Sequence, residues 1–132
     1  MSERWKCSST AVYNLGYHII WCPKYRRKVL KNQVKQRLRQ LLQEKADEIN
    51  VTIESMEIMQ DHVHLFVKAD PTACPHWIIQ QFKGYTSRKL REEFKELRTR
   101  LPTLWTRSYY IESVGHISED TIKKYIEEQK GR

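Results

Sequence analysis

The run Asp61-His62-Val63-His64-Leu65-Phe66-Val67 places aliphatic residues at every second position and contains neither proline nor glycine. A period of two belongs to a strand with one buried and one open face. Val63, Leu65 and Val67 form the buried set, so a core must lie on one side of a sheet. His62 and His64 then point together to the other side, about 7 Å apart along the backbone at a rise of about 3.3 Å per residue. Imidazole suits a divalent metal, and two on one rigid strand make half of a metal site.

The remaining elements follow from their own patterns. Residues 11–22 (AVYNLGYHIIWC) are rich in aromatic and β-branched side chains and predict a strand that ends at Pro23. Val34, Leu38, Leu41, Leu42, Ala46 and Ile49 recur on one helical face, predicting a helix over 33–50 with Asn50 as its stop. Residues 51–59 read as a second strand, and Gln60-Asp61 as a short turn into the histidine strand, which ends near Lys68. A second helical region covers 75–97, with Gly84 as a candidate bend. Residues 108–114 form a fourth strand, broken by Gly115-His116. A last helix, about 118–130, starts at Ser118, with Glu119 and Asp120 in its positive first turn. The order β-α-β-β-α-β-α gives an α+β fold on the ferredoxin-like, split βαβ plan. Four antiparallel strands carry two helices on one face, and an extra C-terminal helix follows. One domain over 1–132 is expected.

Composition narrows the function classes. No apolar stretch approaches the ~20 residues of a membrane span, and the N-terminus lacks signal-peptide character, so a soluble, cytoplasmic protein without membrane contact is expected. Cys7, Cys22 and Cys74 are odd in number and form no Cys-x-x-Cys pair, which argues against zinc fingers and disulfide frameworks. Of the net charge of +8, residues 1–43 carry ten Lys/Arg against one acid, while residues 44–132 carry fourteen against fifteen. The excess centres on Lys24, Tyr25, Arg26, Arg27, Lys28 and Lys31. Cations interleaved with aromatics suit a single-stranded nucleic acid. A solvated basic face without a partner is the plainer alternative.

Tyr125 and Gln129, four apart, project from one face of the last helix. Alone they read as an exposed aromatic beside a polar residue. His18, His76 and His116 lack a partner at ligand spacing and read as structural or surface residues. Asp61 either orients one of the paired histidines or simply serves its turn. Trp5, Trp77 and Trp105 read as core or interface.

Together, the His-Val-His strand, the late helical tyrosine with Gln129 one turn beyond, and the basic aromatic-laced loop resemble the HUH single-tyrosine transposases of small prokaryotic insertion sequences, REP-associated tyrosine transposase relatives included. Phe82-Lys83-Gly84-Tyr85-Thr86-Ser87 and the segment from Ser108-Tyr109-Tyr110 to Gly115 add to the resemblance, which extends from about Tyr13 to Gln129. It implies that His62, His64 and Gln129 hold Mg²⁺ or Mn²⁺ and that Tyr125 is the nucleophile. The implied reaction is cleavage and rejoining of single-stranded DNA through a 5′-phosphotyrosine, for excision and insertion of the element. The implied substrate carries a hairpin near each element end. A homodimer is implied too; in several members of the family the tyrosine helix completes the partner's site. Gly115 could serve as the hinge for such an exchange, and the sequence leaves open whether Tyr125 acts in cis or in trans. Metal-binding imidazoles must be neutral, so activity is expected to fall below about pH 6. Two rival readings are a non-catalytic single-stranded nucleic-acid-binding module of ferredoxin-like fold and a metal-dependent hydrolase of a small substrate.

Overall fold

A computed structural model describes residues 15–114, together with the backbone of two short paired strands, β1 (Lys6–Cys7) and β2 (Val12–Tyr13). The C-terminal helix expected over about 118–130 lies outside the described residues, and so do Trp5, Gly115, His116, Tyr125 and Gln129.

The central sheet contains β3 (Gly16–Trp21), β4 (Thr52–Met59), β5 (His62–Lys68) and β6 (Tyr110–Val114) in the order β4-β5-β3-β6, antiparallel throughout. This is the ferredoxin-like order. Its helices are α1 (Asn32–Glu48) and α2 (Pro75–Glu93), which pack against each other, followed by the short α3 (Lys95–Thr99). The strand expected over 11–22 divides into β2 and β3.

Alternation along β5 decides which sheet face is covered. Val63, Leu65 and Val67 are fully buried, and Ile19 and Trp21 of β3 and Ile58 of β4 join them. From the helices, Leu38, Leu41, Leu42, Ile78, Ile79, Phe82 and Leu90 complete the core. Burying one such aliphatic side chain contributes roughly 1.5–3 kcal/mol, so this layer holds the open face in place. Trp21 stacks on Phe82 and meets Trp105 edge-on, 5.8 Å between centroids. The Trp105 indole N–H donates to Thr86 Oγ1, and that hydroxyl donates to the Phe82 carbonyl, so a buried threonine is satisfied on both sides.

Local chemistry sets the helix ends. Pro75 at the first position of α2 needs no N–H partner there. After α1, Asn50 adopts φ 57° and the Val51 N–H reaches the Ala46 carbonyl. That six-to-one closure with a left-handed residue is a Schellman cap, so the stop expected at Asn50 has a physical cause. Gly84 does not bend the second helix, which runs unbroken from Pro75 to Glu93. The break comes at Phe94, whose extended backbone (φ −120°, ψ 104°) separates α2 from α3.

Gly16 makes one close approach possible. A Cβ at this position would lie 2.7 and 2.8 Å from Cε1 and Cζ of Phe66, whose ring crosses the strand there. Gly16→Ala is therefore expected to displace that ring and cost about 1–3 kcal/mol in denaturant unfolding. An unchanged unfolding midpoint would mean that the ring swings aside freely.

Candidate active site

The open face of the sheet carries His62, His64 and Phe66 from β5, with His18 and Ile20 beside them on β3 and Glu57 and Met59 on β4. The side chains of His62 and His64 are each 34% exposed, open to a ligand yet held by the strand. Each imidazole has one nitrogen engaged. His62 Nδ1 lies 2.9 Å from Asp61 Oδ1. An ionised carboxylate only accepts hydrogen bonds, so His62 Nδ1–H donates, and in the neutral ring this tautomer leaves the lone pair on Nε2. The Asp61 carboxyl is held below its ordinary range, chiefly by this bond from His62 and further by the positive charge of Arg26. Asp61 thus orients His62, as well as forming the turn.

His64 Nε2 lies 3.1 Å from His18 Nδ1, the two nitrogens sharing one hydrogen. The other His64 nitrogen, Nδ1, faces the Glu57 carboxylate at 3.9 Å. Phe66 stacks on the outer side of His18, 4.8 Å between centroids at 29°. Sequence spacing marks His18 as a structural or surface residue without a partner; the sheet gives it one. In register, Ile20 faces His64 and His18 faces Phe66, which places His18 diagonally beside His64. His76 also finds a partner, the Tyr109 hydroxyl at 2.7 Å.

Among the described residues, no cluster of three or more His, Cys, Asp or Glu is arranged to hold a metal ion. The donor chemistry present still fits a divalent cation. Among the described residues nothing bonds to His62 Nε2, while a carboxylate fixes the ring's tautomer, an arrangement usual for metal-binding histidines. Tyr125 and Gln129, the other two expected site residues, lie outside the described residues.

The basic segment gathers at the same end of the sheet as His62. After β3, Lys24–Arg26 forms a single 3₁₀ turn, with Tyr25 and Arg26 in left-handed backbone at φ 60° and 50°. Tyr25 is 65% exposed, under the Lys24 ammonium at 5.4 Å. Arg26 Nη2 donates to Asp61 Oδ2 at 3.0 Å, and the Leu30 N–H donates to the Gln60 carbonyl. The basic loop is thereby tied to the turn that leads into His62. Lys28 and Lys31 line a groove with Asn32, Phe94, Glu96 and Arg100. Arg27 lies on an adjoining part of it.

Next to the start of this loop, where Pro23 pairs with Trp105 and the Lys24 N–H donates to the Leu104 carbonyl, Lys83 fastens the approach to β6. Its ammonium donates to the Thr106 carbonyl at 2.6 Å and lies near the Arg107 and Ser108 carbonyls, and burial pushes its pKa down.

The family model described as "Transposase IS200 like" matches residues 11–129. The chain belongs to the IS200-like transposase family. It is 37% identical over 120 residues to the ISDra2 transposase TnpA of Deinococcus radiodurans, covering 89% of this chain and 86% of that one. It is 30% identical to the transposase for insertion sequence element IS200 of Salmonella typhimurium, over 89% and 81% of the two chains. A solved Deinococcus radiodurans structure assigned as a transposase superposes with a TM-score of 0.79 at 32% identity, covering 94% of this chain and 97% of that one. The REP-associated tyrosine transposase bound to a REP hairpin shares the fold alone, with a TM-score of 0.60 at 12% identity over 96% and 73% of the chains. As an IS200-like transposase, the protein is a DNA-processing enzyme. No helix among its described residues is long and apolar enough to cross a membrane.

Proposed function

We propose that this IS200-like transposase cleaves and rejoins single-stranded DNA at the ends of an insertion sequence, with Tyr125 as the nucleophile. The observation that carries the reading is the pair of half-exposed imidazoles on one open sheet face, His62 being fixed by Asp61, beside a tethered basic loop. His62, His64 and Gln129 would hold Mg²⁺ or Mn²⁺. Such a cation, when bound, stabilises charge on a scissile phosphate and its leaving oxygen.

The Tyr125 phenol gives up its proton and its oxygen attacks phosphorus. A P–O bond forms to tyrosine while the P–O3′ bond breaks, and the released 3′ oxygen takes a proton. The product is a 5′-phosphotyrosine beside a free 3′-hydroxyl. One phosphoester has replaced another, so a 3′-hydroxyl from another strand can reverse the step without ATP. Lys24, Tyr25, Arg27, Lys28 and Lys31 bind the strand, with Arg26 divided between the strand and Asp61. The substrate we assign has a hairpin near each element end. The enzyme acts as a homodimer, the tyrosine helix of one subunit completing the site of the other.

The test mixes the protein with Mg²⁺ or Mn²⁺ and labelled single-stranded oligonucleotides from the element's flanks. A denaturant-resistant protein–DNA adduct with an equal yield of 3′-hydroxyl fragment is expected. Cleavage without an adduct would discard the tyrosine mechanism. The groove adds a second expectation. Lys28→Ala with Lys31→Ala should reduce the slope of log affinity against log salt by about 0.7 for each phosphate that the variant no longer neutralises. An unchanged slope would show that DNA does not enter the groove.

A further inference from the structure

The two paired histidines are backed by different chemistry. Asp61 takes the hydrogen of His62 Nδ1, which leaves Nε2 free. For His64 the engaged nitrogen is Nε2, 3.1 Å from His18 Nδ1, and the open nitrogen is Nδ1, with the Glu57 carboxylate 3.9 Å away. We infer that His18 is a positioning residue that fixes His64 so that it offers Nδ1, not Nε2, to a divalent cation. This deepens the metal-dependent reading above and rests on it.

Two neutral imidazoles that share one hydrogen can arrange it in two ways. If His18 donates, the His64 hydrogen sits on Nδ1, facing Glu57. If His64 donates from Nε2, its Nδ1 lone pair faces a carboxylate, which is unfavourable until a cation lies on that side. On that side the His64 Nδ1 lone pair and the Glu57 charge would both favour a cation. His18 Nδ1 then serves as the waiting acceptor for the Nε2 hydrogen, the backing that metal-binding histidines characteristically have. No proton leaves the pair: one hydrogen moves between nitrogens within each ring. The His18 ring is itself held. Phe66 stacks on it at 4.8 Å, and Phe66 occupies that place because Gly16 has no Cβ. A line of contacts therefore runs from Gly16 through Phe66 and His18 to His64.

The experiment uses the full chain labelled with ¹⁵N at histidine and titrated with Zn²⁺, followed by nitrogen chemical shifts. Coordination of His62 through Nε2 and of His64 through Nδ1 is expected, with the His64 hydrogen on Nε2. In parallel, Mn²⁺ affinity is measured by calorimetry for His18→Leu and His18→Asn. The leucine offers no acceptor and should weaken binding by about 10–100-fold. Asparagine places an oxygen where Nδ1 stood and should restore most of it. A purely structural histidine would not be rescued in this way. Coordination of His64 through Nε2, or unchanged or tighter Mn²⁺ binding by a folded His18→Leu protein, would overturn the inference and leave the metal-dependent mechanism standing. A wild-type spectrum in which neither His62 nor His64 responds to Zn²⁺ would overturn both. The wild-type shifts decide the matter even if the variants do not fold.

Discussion

Tyr125→Phe is expected to abolish the covalent protein–DNA adduct and to reduce strand cleavage by about 10³–10⁶-fold, the range seen when an enzyme loses its nucleophile. Only one oxygen is removed, so DNA binding should persist. The measurement pairs a denaturing gel for the adduct with a binding titration on the same oligonucleotide. Loss of both signals would point to a folding defect. An adduct that survives would move the nucleophile elsewhere, and Tyr110, exposed on the same sheet face as the histidines, would be the next candidate. The proposed exchange between subunits adds a second readout. Mixing Tyr125→Phe with His64→Ala protein should restore part of the activity if the tyrosine helix and the histidine pair come from different subunits, because mixed dimers then contain one intact site.

His64→Ala should lower metal-dependent cleavage by more than about 10²-fold, since the loss of a direct ligand should exceed that of the groups behind it. The fold should tolerate the change. His64 lies on the open face, while Val63 and Leu65 on either side carry the burial, so unfolding should shift by no more than about 0.5 kcal/mol. A titration of cleavage against Mg²⁺ and Mn²⁺ provides the check. A variant that keeps both the wild-type rate and the wild-type metal dependence would remove His64 from the site. Recovery at high metal would show a weakened site that still assembles.

Much of the architecture was legible because it rests on local periods. The alternation of His62 to Val67 fixed the buried face of the sheet, and the apolar spacing in residues 33–50 marked α1 together with its stop at Asn50. The misreadings in the second helical region arose where residue type did not decide the backbone. Gly84 suggested a bend, yet its backbone stays helical and nothing lies within 4 Å of where a Cβ would stand. The actual break, at Phe94, gives no such signal. At the site, His62 and His64 could be paired from spacing alone, because both belong to one strand. His18 could not. Its partnership depends on the register between strands 46 residues apart in sequence, and no single segment encodes that. Similarly, Arg26 reads as a free cation for DNA, and only the folded loop reveals its bond to Asp61. The roles of Lys83 and Arg100 also arise from neighbours distant in sequence.

The position of β3 in the middle of the sheet has a consequence for synthesis. It is the first of the four strands to leave the ribosome, yet one of its edges is covered only by β6, where Ile20 meets Tyr110. At about 5–20 residues per second, that edge stays bare for about 5–20 s. A nascent chain that stalls before Tyr110 presents Ile19 and Trp21 on a strand with one bare margin, a template for pairing with a neighbouring polypeptide. Until Tyr110–Val114 has been made, that margin lacks the strand that covers it in the folded sheet.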